Sequence, residues 1–253
     1  MRKILMGLAL VLLGLSSSVY GYEVKWVEKP DKVVVDQPLH LVFNVGTKDL
    51  ENSGGQSLHL IVVDQDLEMF AHYSPPADAS GNFTQDLMFP AEGRYLLFFY
   101  FKPQLETPVV LRAVMDAGKM ISPFPTVRLY FDTEKLTDDM MRAAFVTQPE
   151  EPVANRETII TYTFVEAKSD KPIQNLQDFL GHGGSLVAIS ANGQTLLRSL
   201  SQEAIVMADP AKVFYGPQLN FKMTFPQKGI YKMWGEFRRH NQTVVVPFML
   251  MVK

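Results

Sequence analysis

The chain has no cysteine. That absence excludes disulfides, cysteine nucleophiles, thiolate zinc sites and blue-copper centres. Basic runs are missing too. Lys and Arg number 24 against 27 Asp and Glu, a formal charge of −3. Nucleic acid and anionic membrane surfaces are therefore poor partners. Long apolar runs are absent: the longest, Ile4 to Leu15, has 12 residues, where a bilayer-spanning helix needs about 20. No G-x-S-x-G turn occurs, and the acidic pairs Asp64/Asp66, Asp138/Asp139 and Glu150/Glu151 sit in polar, loop-like surroundings rather than flanking a recognisable cleft. No catalytic set is legible, so a non-enzymatic protein is expected and a hydrolase ranks last.

Arg2 and Lys3 precede the apolar run, and the small residues Ser16 to Gly21 follow it. This is the pattern of a secretory signal peptide. Residues 1–21 are expected to be removed, leaving no membrane span and an exported, periplasmic or extracellular protein. No Cys marks a lipoprotein anchor. The remaining 230 or so residues suit two domains.

An internal repeat supports that division. Phe89, Pro90, Gly93 and Tyr95 recur as Phe225, Pro226, Gly229 and Tyr231, each shifted by 136. Trp26 to Pro30 matches Phe145 to Pro149, and Leu39 to Phe43 matches Thr158 to Tyr162, both at 119. Ser57 to Ile61 matches Ser185 to Ile189 at 128, and Thr107 to Val110 matches Thr243 to Val246 at 136. Self-similarity at long period marks repeated structural units.

Both copies read as strands. Leu39, Leu41 and Phe43 alternate with more polar neighbours, as do Ile160, Tyr162 and Phe164, and Gly- or Pro-containing breaks separate such runs. Many short, turn-separated strands predict an all-β fold of two tandem immunoglobulin-like antiparallel sandwiches. The expected boundaries are 22–116 for the first and 140–253 for the second, with 117–139 as a connecting strand and linker. Within the connector, Val127 to Phe131 alternates like a strand. Leu136 to Ala144 is expected to form one or two helical turns, and Val244 to Val252 the closing strand.

The stretches Leu58 to Pro75 and Gly81 to Pro103 resemble a group of secreted bacterial Ig-like domains. That group carries the patterns M-H-L-I-V-V-x-x-D-L, F-x-H-x-H-P and F-P-x-x-G-x-Y. In the second copy, Leu180 to Ser190 is similar to the group's L-G-A-x-G-H-L-V-A-I-S. The resemblance spans nearly the whole chain after residue 21. It implies the Ig-like fold and, through its histidines, a link to copper or other metal handling in the cell envelope. This chain departs from the pattern at its histidines. Ser74 replaces the second His of F-x-H-x-H-P, Ser185 stands at the G-H position, and Leu197 to Ser201 replaces a His-rich segment. His182 lies three residues earlier.

His59 and His72 are accordingly the candidate metal ligands, with Asp64, Asp66 or a nearby Met as further donors, and copper as the candidate ion. The plainer reading places His59 partly buried on a strand and His72 beside a loop. His40 and His240 read as surface residues. Met249 and Met251 lie two apart and share a strand face, where core packing is the commoner use of thioethers. The dense aromatics Tyr95, Phe98, Phe99, Tyr100 and Phe101 cannot all face one core. Either the other domain covers them or a partner does. The first expectation for function is a binding or scaffolding module whose partner is an envelope protein. The second is a periplasmic copper-handling protein.

Overall fold

The computed structural model describes residues 21–52, 55–119, 126–202 and 213–253. The expected signal segment, apart from Gly21, lies outside the described residues, as do Gly54, Met120, Pro123 and Pro125. All regular elements in the described residues are strands.

The first sandwich holds β1 (Lys25–Glu28), β2 (Leu39–Asn44), β3 (Leu58–Asp64), β4 (Phe70–Tyr73), β5 (Phe83–Leu87), β6 (Gly93–Phe101) and β7 (Val109–Ala117). Its sheets run β1-β2-β5 and β4-β3-β6-β7, all antiparallel. The second holds β8 (Glu134–Leu136), β9 (Met141–Gln148), β10 (Glu157–Glu166), β11 (Ser185–Ser190), β12 (Leu196–Leu200), β13 (Gln218–Thr224), β14 (Gly229–Arg239) and β15 (Gln242–Val252). Its sheets run β13-β10-β9-β8 and β12-β11-β14-β15. Apart from the short edge strand β8, the two topologies are the same: two tandem Ig-like sandwiches.

The repeated F-P-x-x-G-x-Y has a mechanical explanation. Phe89 and Phe225 are buried, and each packs on the Tyr of its own motif with ring centroids 4.1 and 4.8 Å apart. Gly93 and Gly229 open β6 and β14 at φ of 152° and 134°, where a side chain is disfavoured. The Tyr95 hydroxyl donates to the Ala91 carbonyl at 2.9 Å, and the Tyr231 hydroxyl to the Gln227 carbonyl at 3.0 Å. These are tyrosine corners, which tie the start of a late strand to the loop before it. A second shared device lies upstream. Asp36 and Asn155 both adopt positive φ and donate their backbone N–H to the carbonyls of Phe89 and Phe225.

The ladders revise two of the sequence matches. Trp26 faces Phe43 and Phe145 faces Tyr162, which keeps the offset of 119. Asp64 faces Tyr95, however, and Ser190 faces Tyr231. With the tyrosines equivalent, the offset in β3/β11 is 126, and Ser185 corresponds to His59. The match at 128 had slid by two residues. A slip of two keeps every side chain on its face, so an alternating pattern cannot detect it. On the last strand Val109 faces Phe101 and Val244 faces Phe237. The offset there is 135, one less than the sequence match.

Two other expectations fail. Leu136 to Ala144 is not helical. A turn closed by Thr137, whose hydroxyl donates to the Met141 carbonyl, joins β8 to β9, with Met140 at a φ of 60°. From Met141 to Phe145 burial alternates, which is strand behaviour. Residues 127–131 join no ladder; they run beside β15, where Tyr130 N approaches Met249 Sδ at 3.2 Å.

Each sandwich has its own core, built around Phe43 and Phe99 in one and Tyr162 and Phe237 in the other. A third core lies between the domains. Ile61, Val63, Leu67, Leu96 and Phe98 meet Val187, Ile189, Leu196 and Trp234. The two inner sheets therefore pack face to face, and β3 and β11 are buried on both sides, which explains their unbroken apolar runs. The approach is close. A Cβ added to Gly193 would meet Leu96 Cδ1 at 2.5 Å. The Phe98–Phe101 patch is thus no partner surface. Phe98 is covered by the other domain, while Phe99 and Phe101 fill their own core. Replacing Trp234, which stacks on Phe70 at 4.9 Å, by Ala is expected to cost about 3–5 kcal/mol and to split one cooperative unfolding transition into two. Calorimetry and urea titration followed by circular dichroism check both effects.

Candidate functional site

The contact between the inner sheets is apolar at one end and polar at the other. Pairing across β3 places His72 beside Ile61 on β4, and Tyr100 beside His59 on β6. On the opposing sheet Arg198 stands beside Val187 on β12, and Glu236 beside Ser185 on β14. Every one of these residues lies on the face turned toward the other domain. The spacing of alternate strand positions thus brings His59, His72, Tyr100, Ser185, Arg198 and Glu236 into one buried band.

Within the band His59 and His72 do meet. His59 Nδ1 lies 3.0 Å from His72 Nε2, with ring centroids 5.1 Å apart. The other nitrogen of His72, Nδ1, lies 2.9 and 2.8 Å from the two Glu236 carboxylate oxygens. A carboxylate only accepts, so His72 Nδ1 carries the proton. Its Nε2 then shares a single proton with His59 Nδ1. The pair is shut in: His59 is 4% exposed and Glu236 2%. Burial, reinforced by the charges of Arg198 and His72, pushes the His59 imidazole down to about 2.

Arg198 occupies the other flank. Its guanidinium lies over the Tyr100 ring, 5.3 Å from the centroid. Burial pulls it below the ordinary arginine range, against the attraction of Tyr100 and Glu236. The ladders reveal a symmetry here. With Ile61 equivalent to Val187 and Phe98 to Trp234, His72 is equivalent to Arg198 and Tyr100 to Glu236. The contacts His72–Glu236 and Arg198–Tyr100 are therefore two versions of one contact, related as a two-fold axis relates the halves of an isologous interface. Shallow clefts open on the two flanks. One of about 310 Å³ is lined by His72, Glu236, Gln56 and Ser74, and one of about 420 Å³ by Arg198, Tyr100 and His182.

The remaining candidates lie elsewhere. Asp64 Oδ1 accepts the backbone N–H of Glu68 and Met69, a turn-closing role, and Asp66 accepts from Thr126 N. Met69 packs in the first core. His40 pairs with Asp86 on the surface at 2.6 Å, and His240 lies in the two-residue turn between β14 and β15. His182 Nδ1 donates to the Ser201 carbonyl at 3.0 Å. Among the described residues no three His, Asp or Glu side chains converge on a single point suited to an ion. The reason is geometric: the two nitrogens of His72 face opposite ways, one to His59 and one to Glu236. The sequence did carry a signal for Glu236 and Arg198. Each is a charge at a core-spaced position within an apolar strand.

A single family model matches residues 17–116 and 138–253. The chain belongs to that family, described as Domain of unknown function (DUF8832). No curated protein matches. Solved structures with similarity include the Escherichia coli adhesin FdeC, at 14% identity and a TM-score of 0.27, covering 95% of this chain and 66% of that one. Another is a calcium-stabilised ice-binding adhesin of an Antarctic bacterium, at 7% identity and a TM-score of 0.26, covering 91% and 48%. A segment of two fibronectin type III domains from chicken tenascin shows 9% identity and a TM-score of 0.23, covering 90% and 97%. The chain spans about two thirds of the FdeC structure and about half of the ice-binding one. Superpositions this loose leave the fold assignment to the sheet order itself.

The depressed His59 pKa has a sign. The folded value of about 2 lies below the ordinary value near 6.5, so the unfolded chain binds more protons between the two. The stability contributed by neutral His59 is full above about pH 6.5 and is lost as pH falls toward the folded value. Unfolding free energy is expected to drop by about 2 kcal/mol from this group between pH 7.5 and 5. His59→Gln should flatten that slope in paired denaturant titrations. An equal slope in the variant would contradict the buried, neutral assignment.

Proposed function

We propose that this chain is an exported, non-enzymatic envelope protein that binds or scaffolds a partner through a rigid pair of Ig-like domains. Rigidity is supported by the third core, since two sandwiches sharing buried Phe98 and Trp234 present their loops at fixed spacing. No helix among the described residues is long and apolar enough to cross a membrane. The partner surface is not the aromatic run of β6, in which Phe98, Phe99 and Phe101 are buried.

The observation that carries the reading is an exposed apolar stripe. Leu129, Tyr130 and Phe131 are each about half exposed, and Val146 and Met251 stand out beside them, Val146 at 65%. Phe131, Val146 and Met251 border a cleft of about 590 Å³ whose rim also holds Glu150 and Glu151. Contiguous exposed apolar residues with a polar rim mark an interaction surface. A photo-crosslinking residue at Phe131 or Val146 in the expressed full chain is expected to capture a discrete partner from the cell envelope. The same residue at Asp86, on the outer sheet of the first sandwich, is expected to capture none. Equal capture at all three sites would remove the support for this surface. Mass spectrometry of the recovered protein should show the loss of residues 1–21; an intact N-terminus would count against export by cleavage.

A second reading keeps His59 and His72 as copper ligands. The observation in its favour is the 3.0 Å approach of their nitrogens, with Glu236 behind His72 as a supporting carboxylate. Among the described residues two imidazole nitrogens and no third donor converge there, and the neighbouring Arg198 charge opposes a cation. Calorimetry of the mature protein with Cu(II), Cu(I) and Zn(II) separates the readings. Saturable heat lost in His72→Ala supports the metal role, and heats equal to buffer for all three ions end it.

A further inference from the structure

The symmetry of the interface singles out one position where a partner is missing. At one flank the contact is His72 on Glu236, with both carboxylate oxygens within 2.9 Å of the ring nitrogen. At the equivalent flank the cation is Arg198, and the position of the carboxylate is taken by Tyr100. Arg198 therefore faces a ring at 5.3 Å where its counterpart faces an anion. The guanidinium hydrogen-bonds the Tyr100 side chain, while its Nε and Nη2 have no acceptor. Glu236 attracts it only through space, both oxygens being engaged by His72. A second guanidinium, Arg112, stands beside Phe98 on the same sheet face, and its Nε also has no acceptor. Burying a guanidinium without a counter-ion is costly, and such groups are ordinarily paired.

The cleft at this flank, about 420 Å³, is built from groups that suit an anionic end group. Arg198 and Tyr100 form one wall, and His182, Ser199, Ser201 and Gln202 line the rest. The imidazole of His182 is held in place through Nδ1 on the Ser201 carbonyl, and Ser201 Oγ accepts from Gly183 N–H. We propose that this cleft binds a carboxylate group, which pairs with Arg198 as Glu236 pairs with His72. A single guanidinium at the cleft wall matches a single negative charge. A phosphate carries about −1.5 to −2 at neutral pH and would remain partly uncompensated. The site is distinct from the apolar stripe and from the histidine pair, and neither reading of the function depends on it.

The test is calorimetry of the mature protein in low-salt buffer free of carboxylates, with three probes: acetate, triglycine with a free C-terminus, and inorganic phosphate. Acetate and triglycine distinguish a free organic acid from the end of a peptide. Saturable binding of at least one carboxylate is expected, with phosphate weaker, and with the His182 ring resonance shifting on binding. Arg198→Met should lower affinity by at least about tenfold without lowering the melting temperature, because an apolar chain of similar length replaces a buried guanidinium with two nitrogens lacking an acceptor. Arg198→Lys keeps the charge but loses the planar fork, and should bind between the two. Three results would each overturn the proposal: no saturable carboxylate binding, phosphate binding at least as tightly, or unchanged affinity in a folded Arg198→Met protein.

Discussion

The face-to-face packing of the two inner sheets is the constraint on which the rest of the molecule depends. A lone Ig-like sandwich buries one face of each sheet and leaves the other to water. Here β3 and β11 are buried on both faces, and Phe98, Val187 and Trp234 would be exposed in a separated domain. The apolar area at this contact makes the domains interdependent. It also fixes their relation: β4 lies over β14 through Phe70 on Trp234, and β12 lies over β6 through Arg198 on Tyr100.

Polar groups inside such a contact are tolerated only when paired. Glu236, His72 and His59 satisfy one another in a short chain across the interface. Any slip of the sheets would leave a buried carboxylate without its donor, so the chain favours a single register. Arg198, Arg112 and Ser185 are among the exceptions, since each has a buried polar atom with no partner. The band is thus complete on one flank and incomplete on the other, and that asymmetry follows from sequence divergence between otherwise equivalent copies. What the copies share is the machinery of folding: the tyrosine corners, the glycines at the start of β6 and β14, and the left-handed Asp36 and Asn155.

Much of the architecture was legible in the residues alone. The doubled F-P-x-x-G-x-Y and the alternation in β2 and β10 pointed to two Ig-like sandwiches, because period two and turn chemistry are local properties of the chain. The histidines were legible as candidates. Their partners were not: Glu236 is 164 positions from His72, and no local pattern connects residues so far apart. The register of β11 against β3 was misjudged by two because alternation is blind to even slips. The connector misled as well. Residues 127–131 alternate like a strand, yet they find no edge to pair with.

The sequence by itself therefore determined the all-β class, the duplication and the absence of thiol chemistry. Only the tertiary structure decided that the second face of β3 is covered by the second domain. It also decided that His59 and His72 are joined by a carboxylate, and that Arg198 is left without one. The physical reason is that strand formation and turns depend on neighbours along the chain. The pairing of buried charges depends on which two faces meet, and that is settled only when the apolar surfaces of both copies close on each other.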